Sequence, residues 1–338
     1  QPGGDMRHVT IASFGAALGV SGSRLVVTEN GQSWETALSR LRTIRVEKKG
    51  VSVSSNLILE CAVRGIRLYF VDWRGVGVAA VSGLHQHAVV SVREAQFDCV
   101  RSEAALALAQ EIIFTKIRNQ RAVLLYFSKY LNKISPDVGL RLRQTALELE
   151  TAAESLRSGP KKGVKEWRNI LMGLEGSAAT IYWQALRETG FLPPSFCQRE
   201  GRGSVEIGNA ALNYGYAVLQ SYVWSALDNA GLELYAGVLH TKRPGKPALV
   251  LDFMEEYRAW VVDRNIIKLR RRLEACGDKG LTTELKMLIV NAIDETMATS
   301  IAWHKKSVRL ENVLQRQAYR LAGAMVSGKT YRGIRFRW

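Results

Sequence analysis

Gly65-Ile66-Arg67-Leu68-Tyr69-Phe70-Val71, Gly77-Val78-Ala79-Ala80-Val81 and then, from Val90, Ser91-Val92-Arg93-Glu94-Ala95-Gln96 mark a change of grammar in this chain. Up to Val81 the apolar residues come in short β-forming runs: Val9 to Ala12, Arg24 to Thr28, Thr43 to Val46, Val51 to Val53, Arg67 to Val71 and Gly77 to Val81. Turn-forming positions at Gly15, Gly22, Asn30-Gly31, Gly50, Gly65 and Gly75 separate them, as strand connections require. One helix interrupts the pattern, because Ser54-Ser55-Asn56 can cap the run of Leu57, Leu59 and Cys61-Ala62 before Gly65 ends it.

After Val90 apolar residues recur every three or four positions among Ala, Leu, Glu, Gln and Arg, which predicts helices over 91–133, 136–157, 164–188, 204–229, 248–273, 281–303 and 306–327. Pro136, Gly159-Pro160, Pro193-Pro194, Gly231 and Gly277 bound them, and Ser158 to Lys165 reads as a polar loop. No β-rich cluster of comparable density follows. The expected fold is therefore α+β, a small N-terminal β domain over 1–88 followed by a larger all-α domain over 89–338. No internal repeat or low-complexity tract argues for a solenoid or a disordered tail.

The 338 residues carry 47 Lys and Arg against 31 Asp and Glu, a formal net charge of +16. Such a balance attracts polyanions through long-range field and counterion release, and nucleic acid is the expected partner. Cys61, Cys99, Cys197 and Cys276 lie far apart, without a C-x-x-C pair, so neither a zinc site nor a disulfide framework is expected and a reducing cytoplasm is the simplest location. No apolar stretch is long enough to span a bilayer, so no membrane association is expected. The opening Gln1-Pro2-Gly3-Gly4 lacks an initiator Met and reads as an expression remnant or the cut edge of a longer polypeptide.

Two acidic features stand out. Glu175 falls in the apolar stripe of Ile170, Leu171, Leu174, Ala178, Ile181 and Ala185, where a carboxylate needs a partner. Gly173 and Gly176 flank it, and paired helix-interior glycines suggest close approach of another backbone or a substrate. In 248-Ala-Leu-Val-Leu-Asp-Phe-Met-Glu-Glu-Tyr-Arg-258, Asp252, Glu255 and Glu256 share the i, i+3, i+4 relation on a largely apolar helix, and Asp263 continues that face. Like charges so spaced repel unless a cation sits against them, and a divalent metal is a natural remedy, against the alternative of a solvated acidic patch. His240 ends a short apolar run before the basic turn Thr241-Lys242-Arg243-Pro244-Gly245. One imidazole with two or more carboxylates suits Mg²⁺ or Mn²⁺ better than structural zinc. A nucleophile elbow, a phosphate loop and an H-E-x-x-H pair are all absent from the sequence, which leaves phosphodiester chemistry as the best match.

Leu174-Glu175-Gly176, Asn213-Tyr214-Gly215-Tyr216, Gly237-Val238-Leu239-His240 and Asp252-Phe253-Met254-Glu255 occur in the order of the metal-binding and core motifs of the CRISPR-associated protein one family, the spacer-acquisition integrases, which the chain resembles over nearly its whole length. Gly50-Val51-Ser52-Val53-Ser54 and Gly65 to Phe70, then Asp72 and Gly75, extend the resemblance through the β region. The resemblance implies that Glu175, His240 and Glu255 are metal ligands, that Asp252 assists them, and that Glu256 is a poorer ligand. It also implies a homodimer joined largely through the β domains, with two such dimers bridged by a small partner, CRISPR-associated protein two, on double-stranded DNA. Ala259 and Tyr257 depart from the common pattern, where proline and phenylalanine are usual, and neither touches a ligand. Lys242, Arg243, Lys246 and Arg258 are expected to hold the DNA strands near the site. Lys268, Arg270, Arg271 and Arg272, with the tail from Lys305 to Arg337, are expected to grip backbone phosphates. The expected reaction is attack of a DNA 3′ hydroxyl on a repeat phosphodiester, with endonuclease activity alongside it. Two alternatives stay open: a related transposon integrase, and a non-catalytic DNA-binding scaffold whose carboxylates pair with arginines. The chain ends soon after Tyr331, and no added C-terminal DNA-binding domain of the transposon kind is expected.

Overall fold

The computed structural model describes residues 8–81, 83, 89–131, 133–158, 164–201, 203–240, 244–277 and 280–337. Two compact units divide the chain, Gln1–His87 and Ala88–Trp338. Gln1 to Gly4 and most of the loop expected over Ser158 to Lys165 lie outside the described residues.

The first unit contains strands β1 His8–Ile11, β2 Ala17–Ser21, β3 Arg24–Glu29, β4 Gln32–Ala37, β5 Thr43–Val46 and β6 Ser52–Val53, helix α1 Ser55–Arg64, then β7 Arg67–Val71 and β8 Gly77–Val81. They form two four-stranded sheets, ordered β1-β5-β7-β8 and β4-β3-β2-β6. β1, β5 and β7 run parallel and β8 pairs antiparallel at the edge. Ile11, Leu25, Val27, Ile44, Leu57 and Leu68 are buried in one core. Helix α1 starts and stops where its caps predict: Ser54 Oγ accepts from the Leu57 N–H at 3.2 Å, and Gly65 closes it at φ 68°.

β2 and β4 are absent from the sequence-based expectation. β2 contains Gly19 and β4 is largely polar and exposed, so neither has the dense β-former signal, and both owe their strand state to pairing with β3. The turn between β3 and β4 was visible in outline, since Asn30 and Gly31 take φ of 50° and 75°, as a two-residue hairpin turn demands.

The second unit contains α2 Val89–Arg101, α3 Ala104–Leu131, α4 Pro136–Ser155, α5 Val164–Glu188, α6 Ile207–Asn229, α7 Ala248–Tyr257, a π-helical turn Arg258–Asp263, α8 Arg264–Lys268, α9 Arg270–Cys276, α10 Thr283–Ala298, the hairpin β9 Ser300–Trp303 and β10 Lys306–Arg309, and α11 Leu310–Ser327. Helix α3 is central, packing against α4, α5 and α7. Its residues Ile112, Ile113, Ile117, Val123 and Leu124 are buried.

Three expectations need correction here. The run 91–133 is two helices, parted where Ser102 Oγ donates to the Cys99 carbonyl and accepts from the Ala104 N–H. The run 248–273 keeps its helical path only by widening into the π turn. The unit is not wholly α-helical, because the ends of the runs 281–303 and 306–327 fold together as β9 and β10. His304 and Lys305 make that turn at φ 45° and 65°. Their side chains carry none of the Asn-Gly signal that marks such turns, so the alternation of Ile301, Trp303 and Val308 was masked by the flanking helical periodicity.

Gly215 of the Asn213-Tyr214-Gly215-Tyr216 motif sets how closely α6 meets the π turn: a Cβ there would lie 2.6 Å from Val262 Cγ1. The segment after α11 docks on the same core. Tyr331, Ile334 and Phe336 are buried, and the Phe336 ring stacks on Trp260 with centroids 5.2 Å apart. Among the described residues no helix is long and apolar enough to cross a membrane.

Candidate metal centre

Helices α3, α5 and α7 and the turn over 237–240 converge within the second unit. Helix α5 delivers Glu175 and α7 delivers Asp252, Glu255 and Glu256, all three of the latter buried. The common face expected for these three is not kept by their side chains, which part to different partners: Asp252 to the His240 turn, Glu255 to Lys116 and Arg258, Glu256 to Tyr331 and Ile334. The repulsion inferred from their spacing is answered by groups of the protein itself.

Asp252 closes the turn that carries His240. Its Oδ2 accepts from the N–H groups of Val238 at 2.6 Å and Leu239 at 2.9 Å, and its Oδ1 accepts from the His240 N–H at 2.9 Å. Oδ1 also meets His240 Nδ1 at 2.6 Å, which fixes the ring and turns Nε2 away from the aspartate. Gly237 is needed for this closure, because a Cβ there would sit 2.5 Å from Asp252 Oδ2 and 2.8 Å from the Ala248 backbone. Gln96 of α2, fully buried, donates to the Glu233 and Ala236 carbonyls and holds the turn's entry. Arg168 of α5 donates to the Val238 carbonyl at 2.7 Å, tying the helix of Glu175 to the turn of His240.

Glu175 and Glu255 close on one cation, the ammonium of Lys116 from α3. Lys116 Nζ pairs with Glu175 Oε1 and lies 2.7 Å from Glu255 Oε2. Arg258 Nη1 reaches Glu255 Oε1 at 3.0 Å, and its guanidinium lies over the Tyr216 ring. Burial disfavours the charged form of Glu255, but Arg258 and Lys116, with His240 adding to them, outweigh it and hold its pKa at about 2. Burial likewise works against the Lys116 charge, and Glu255 and Glu175 overcome it, so its pKa is raised. Glu255 Oε2 is buried, and the Lys116 ammonium is the partner it meets.

Glu256 faces the other way. Tyr331 donates its hydroxyl to Oε1 at 2.6 Å and the Ile334 N–H donates to Oε2 at 3.1 Å. Burial pushes its pKa up to about 7 despite these two bonds. Asp263, at the end of the π turn, accepts from the hydroxyls of Tyr216 at 2.6 Å and Tyr182 at 3.2 Å.

Burial raises the Asp263 pKa to about 6, against the lowering pull of Tyr216, Arg199, Tyr182 and Arg258. A carboxyl whose folded pKa exceeds its unfolded one supports the fold fully below the unfolded value and loses that support as pH rises through the folded value. Asp263→Asn is therefore expected to gain stability relative to the parent chain, by roughly 2–3 kcal/mol, between about pH 4 and pH 7. Urea denaturation of both proteins across that range measures it, and a pH-independent difference would refute the assignment.

The glycines beside Glu175 have a different meaning from the one expected. Among the described residues nothing lies within 4 Å of a Cβ at Gly173 or Gly176, so they leave an open face on α5 against which no described backbone packs. Of the cations expected to hold DNA, Lys242 and Arg243 lie outside the described residues. Arg258 is committed to Glu255 and Tyr216, Lys246 is half-buried, and Lys268, Arg271 and Arg272 are exposed. Lys268 and Arg270 lie over the rings of Tyr126 and Phe191. The tail is not a free basic arm: Arg335 pairs with Glu111 at 3.3 Å and the Phe336 N–H donates to Asn119 Oδ1.

Lys116, Gln96 and Arg168 were missed in the sequence. Lys116 had a signal, since it stands four residues after the buried Ile112 and three before the buried Asn119, on the inward face of a helix where an unpaired lysine is expensive.

Divalent binding has to be tested against this geometry. Among the described residues no three or more His, Cys, Asp or Glu side chains are gathered closely enough to hold a metal ion. The donor chemistry nevertheless fits: two carboxylates from different helices already close on a positive charge, and an imidazole oriented by Asp252 stands on a turn tied to α5.

A family model described as CRISPR associated protein Cas1 matches residues 9–292. The chain belongs to the Cas1 family. A Cas1 relative from Francisella tularensis subsp. novicida, named a CRISPR-associated endonuclease, is 42% identical over 333 residues, covering 98% of this chain and 100% of its own. A solved casposase bound to integration product aligns with TM-score 0.75 at 21% identity, over 97% of this chain and 93% of that one. A Cas6-RT-Cas1–Cas2 complex aligns with TM-score 0.74 at 23% identity, over 99% of this chain and 37% of that one. At those identities the two structures speak for the Cas1 fold alone.

Proposed function

We propose that this Cas1-family chain is a metal-dependent DNA integrase with endonuclease activity that acts in CRISPR spacer acquisition, and that Glu175, His240 and Glu255 are its ligands for Mg²⁺ or Mn²⁺. The observation that carries the reading is the closure of two carboxylates from α5 and α7 on a single cation, with α5 tied by Arg168 to the turn whose His240 imidazole Asp252 clamps. The endonuclease named among its relatives and the integration product held by the casposase accord with it.

The reaction joins a DNA fragment to a repeat by transesterification. The 3′ hydroxyl oxygen attacks the repeat phosphorus and gives its proton to solvent, one P–O bond forms, the bond to the departing 3′ oxygen breaks, and that oxygen takes a proton from solvent to become a new 3′ hydroxyl. A divalent ion, when bound, supplies Lewis-acid polarisation of the phosphodiester. Glu255, its pKa held at about 2, keeps negative charge at the site across physiological pH. Asp252 holds the ring of His240 in one orientation, so that the same nitrogen faces the site in every turnover. Arg258, stacked on Tyr216, fixes the Glu255 carboxylate, and exposed Arg271 and Arg272 contribute backbone contacts to DNA without reading sequence.

The proposal includes double-stranded DNA and a Cas2 partner, as in the complex of the Cas1-containing relative, and a homodimer formed through the β unit. One observation favours a second reading, a DNA-binding scaffold without catalysis: Lys116 and Arg258 already neutralise the carboxylates. Strand transfer of labelled DNA separates the two. Activity that needs Mg²⁺ or Mn²⁺, stops on chelation and returns with excess ion is expected; calorimetry without any heat of Mn²⁺ binding, together with no strand transfer, would establish the scaffold. Binding of DNA should also weaken steeply with salt.

A further inference from the structure

Lys116 is the one member of the cluster that the reading above leaves without work. It comes from the central helix α3, its side chain is 13% exposed, and its ammonium lies between Glu175 and Glu255. In formal charges Glu175 and Glu255 count two negative and Lys116 and Arg258 two positive, so the ion-paired cluster is balanced as it stands. A buried ion pair persists when each charge has a partner, and loss of one partner is costly. The two carboxylates are the groups a divalent ion would need, and Lys116 occupies them.

We propose that Lys116 is a resident counter-ion that holds the Glu175–Glu255 pair together and competes with a divalent cation for it. This rests on the reading of Glu175, His240 and Glu255 as the ion-binding set. Lys116 is then a positioning residue with two opposing effects. It keeps two like charges on different helices close without an ion, and it sets the ion concentration at which the site loads. The asymmetry between the two carboxylates fits this role. Glu255 has a second cation in Arg258 and stays anchored, whereas the ion-pair partner seen for Glu175 is Lys116, and α5 beside it has the open face at Gly173 and Gly176.

A merely structural lysine would lower ion affinity when removed, because the carboxylates would drift apart. A competing lysine would raise it. The test is Mn²⁺ binding at about pH 8, by calorimetry or by electron paramagnetic resonance of free Mn²⁺, to the full chain and to Lys116→Met and Lys116→Arg. Lys116→Met is expected to melt lower without ion, to bind Mn²⁺ roughly tenfold more tightly and to gain more in melting temperature on saturation. Lys116→Arg, which keeps the charge, is expected to bind within about threefold of the parent. Equal or weaker Mn²⁺ binding by a folded Lys116→Met overturns the proposal.

A second measurement needs no variant. Acetic anhydride should acetylate Lys116 of the parent chain faster in saturating Mn²⁺ than in chelator, read by peptide mass spectrometry. Unchanged or slower labelling also overturns it. Failure of the parent chain to bind Mn²⁺ at all would remove the ion-binding reading itself, whereas binding unaffected by Lys116→Met removes only the competition.

Discussion

Glu255→Gln is expected to lower strand transfer at least about a thousandfold and to lower the melting temperature of the ion-free protein by about 10 °C. The carboxylate is 4% exposed and faces two cations, Lys116 Nζ at 2.7 Å and Arg258 Nη1 at 3.0 Å. Glutamine keeps the volume and removes the charge, so two positive groups are left with only Glu175 between them. Breaking a buried pair from one side costs roughly 3–5 kcal/mol. For a unit of this size each kcal/mol moves the melting point by about 2–4 °C. The double variant Glu255→Gln, Lys116→Met should recover part of the stability and none of the activity. Scanning calorimetry with a strand-transfer assay checks both halves. An active Glu255→Gln protein would remove Glu255 from the ligand set.

Asp252→Ala is expected to cost at least about 4 kcal/mol and to weaken ion binding and strand transfer roughly ten- to a hundredfold. Its carboxylate, fully buried, accepts from three backbone N–H groups and meets His240 Nδ1. Alanine leaves those donors without an acceptor in a site that Gly237 has made too tight for repair by a neighbouring side chain. It also frees the His240 ring, so the activity that remains should need more Mn²⁺ for half-saturation. Chemical denaturation gives the stability change, and Mn²⁺ titration of strand transfer gives the second. A variant that loses stability with unchanged Mn²⁺ dependence would show that Asp252 supports the turn without orienting the imidazole.

Much of this architecture was legible because the signals were local. Ser54 and Gly65 bound α1 by their own side-chain and backbone chemistry, and the periodicity over 164–188 describes α5 as it stands. The missed pieces depend on partners distant in the chain. β4 is polar and is a strand because β3 supplies its hydrogen bonds. β9 and β10 were absorbed into helical runs because a two-residue His-Lys turn carries no side-chain signature. At the site, the acidic residues were visible from spacing, but their fates were not. Asp252, Glu255 and Glu256 look equivalent along α7, and what separates them is a backbone turn, a lysine on α3 and a tyrosine at position 331. Lys116 was the readable clue left unused, a charge on an inward face that had to be answered by carboxylates.

The opposed orientation of Glu255 and Glu256 makes one helical turn a lever with two ends. The far end is gripped by the closing segment, through the Tyr331 hydroxyl, the Ile334 N–H and Asn119, which donates to the carbonyls of Glu256 and Ile334 at 2.7 and 2.8 Å. Trimming residues 331–337 would therefore deprive Glu256 of both donors and unclasp the backbone one residue from Glu255. Loss of that closing segment would be felt as a loosened Glu255 carboxylate, apart from any phosphate contact its arginines make.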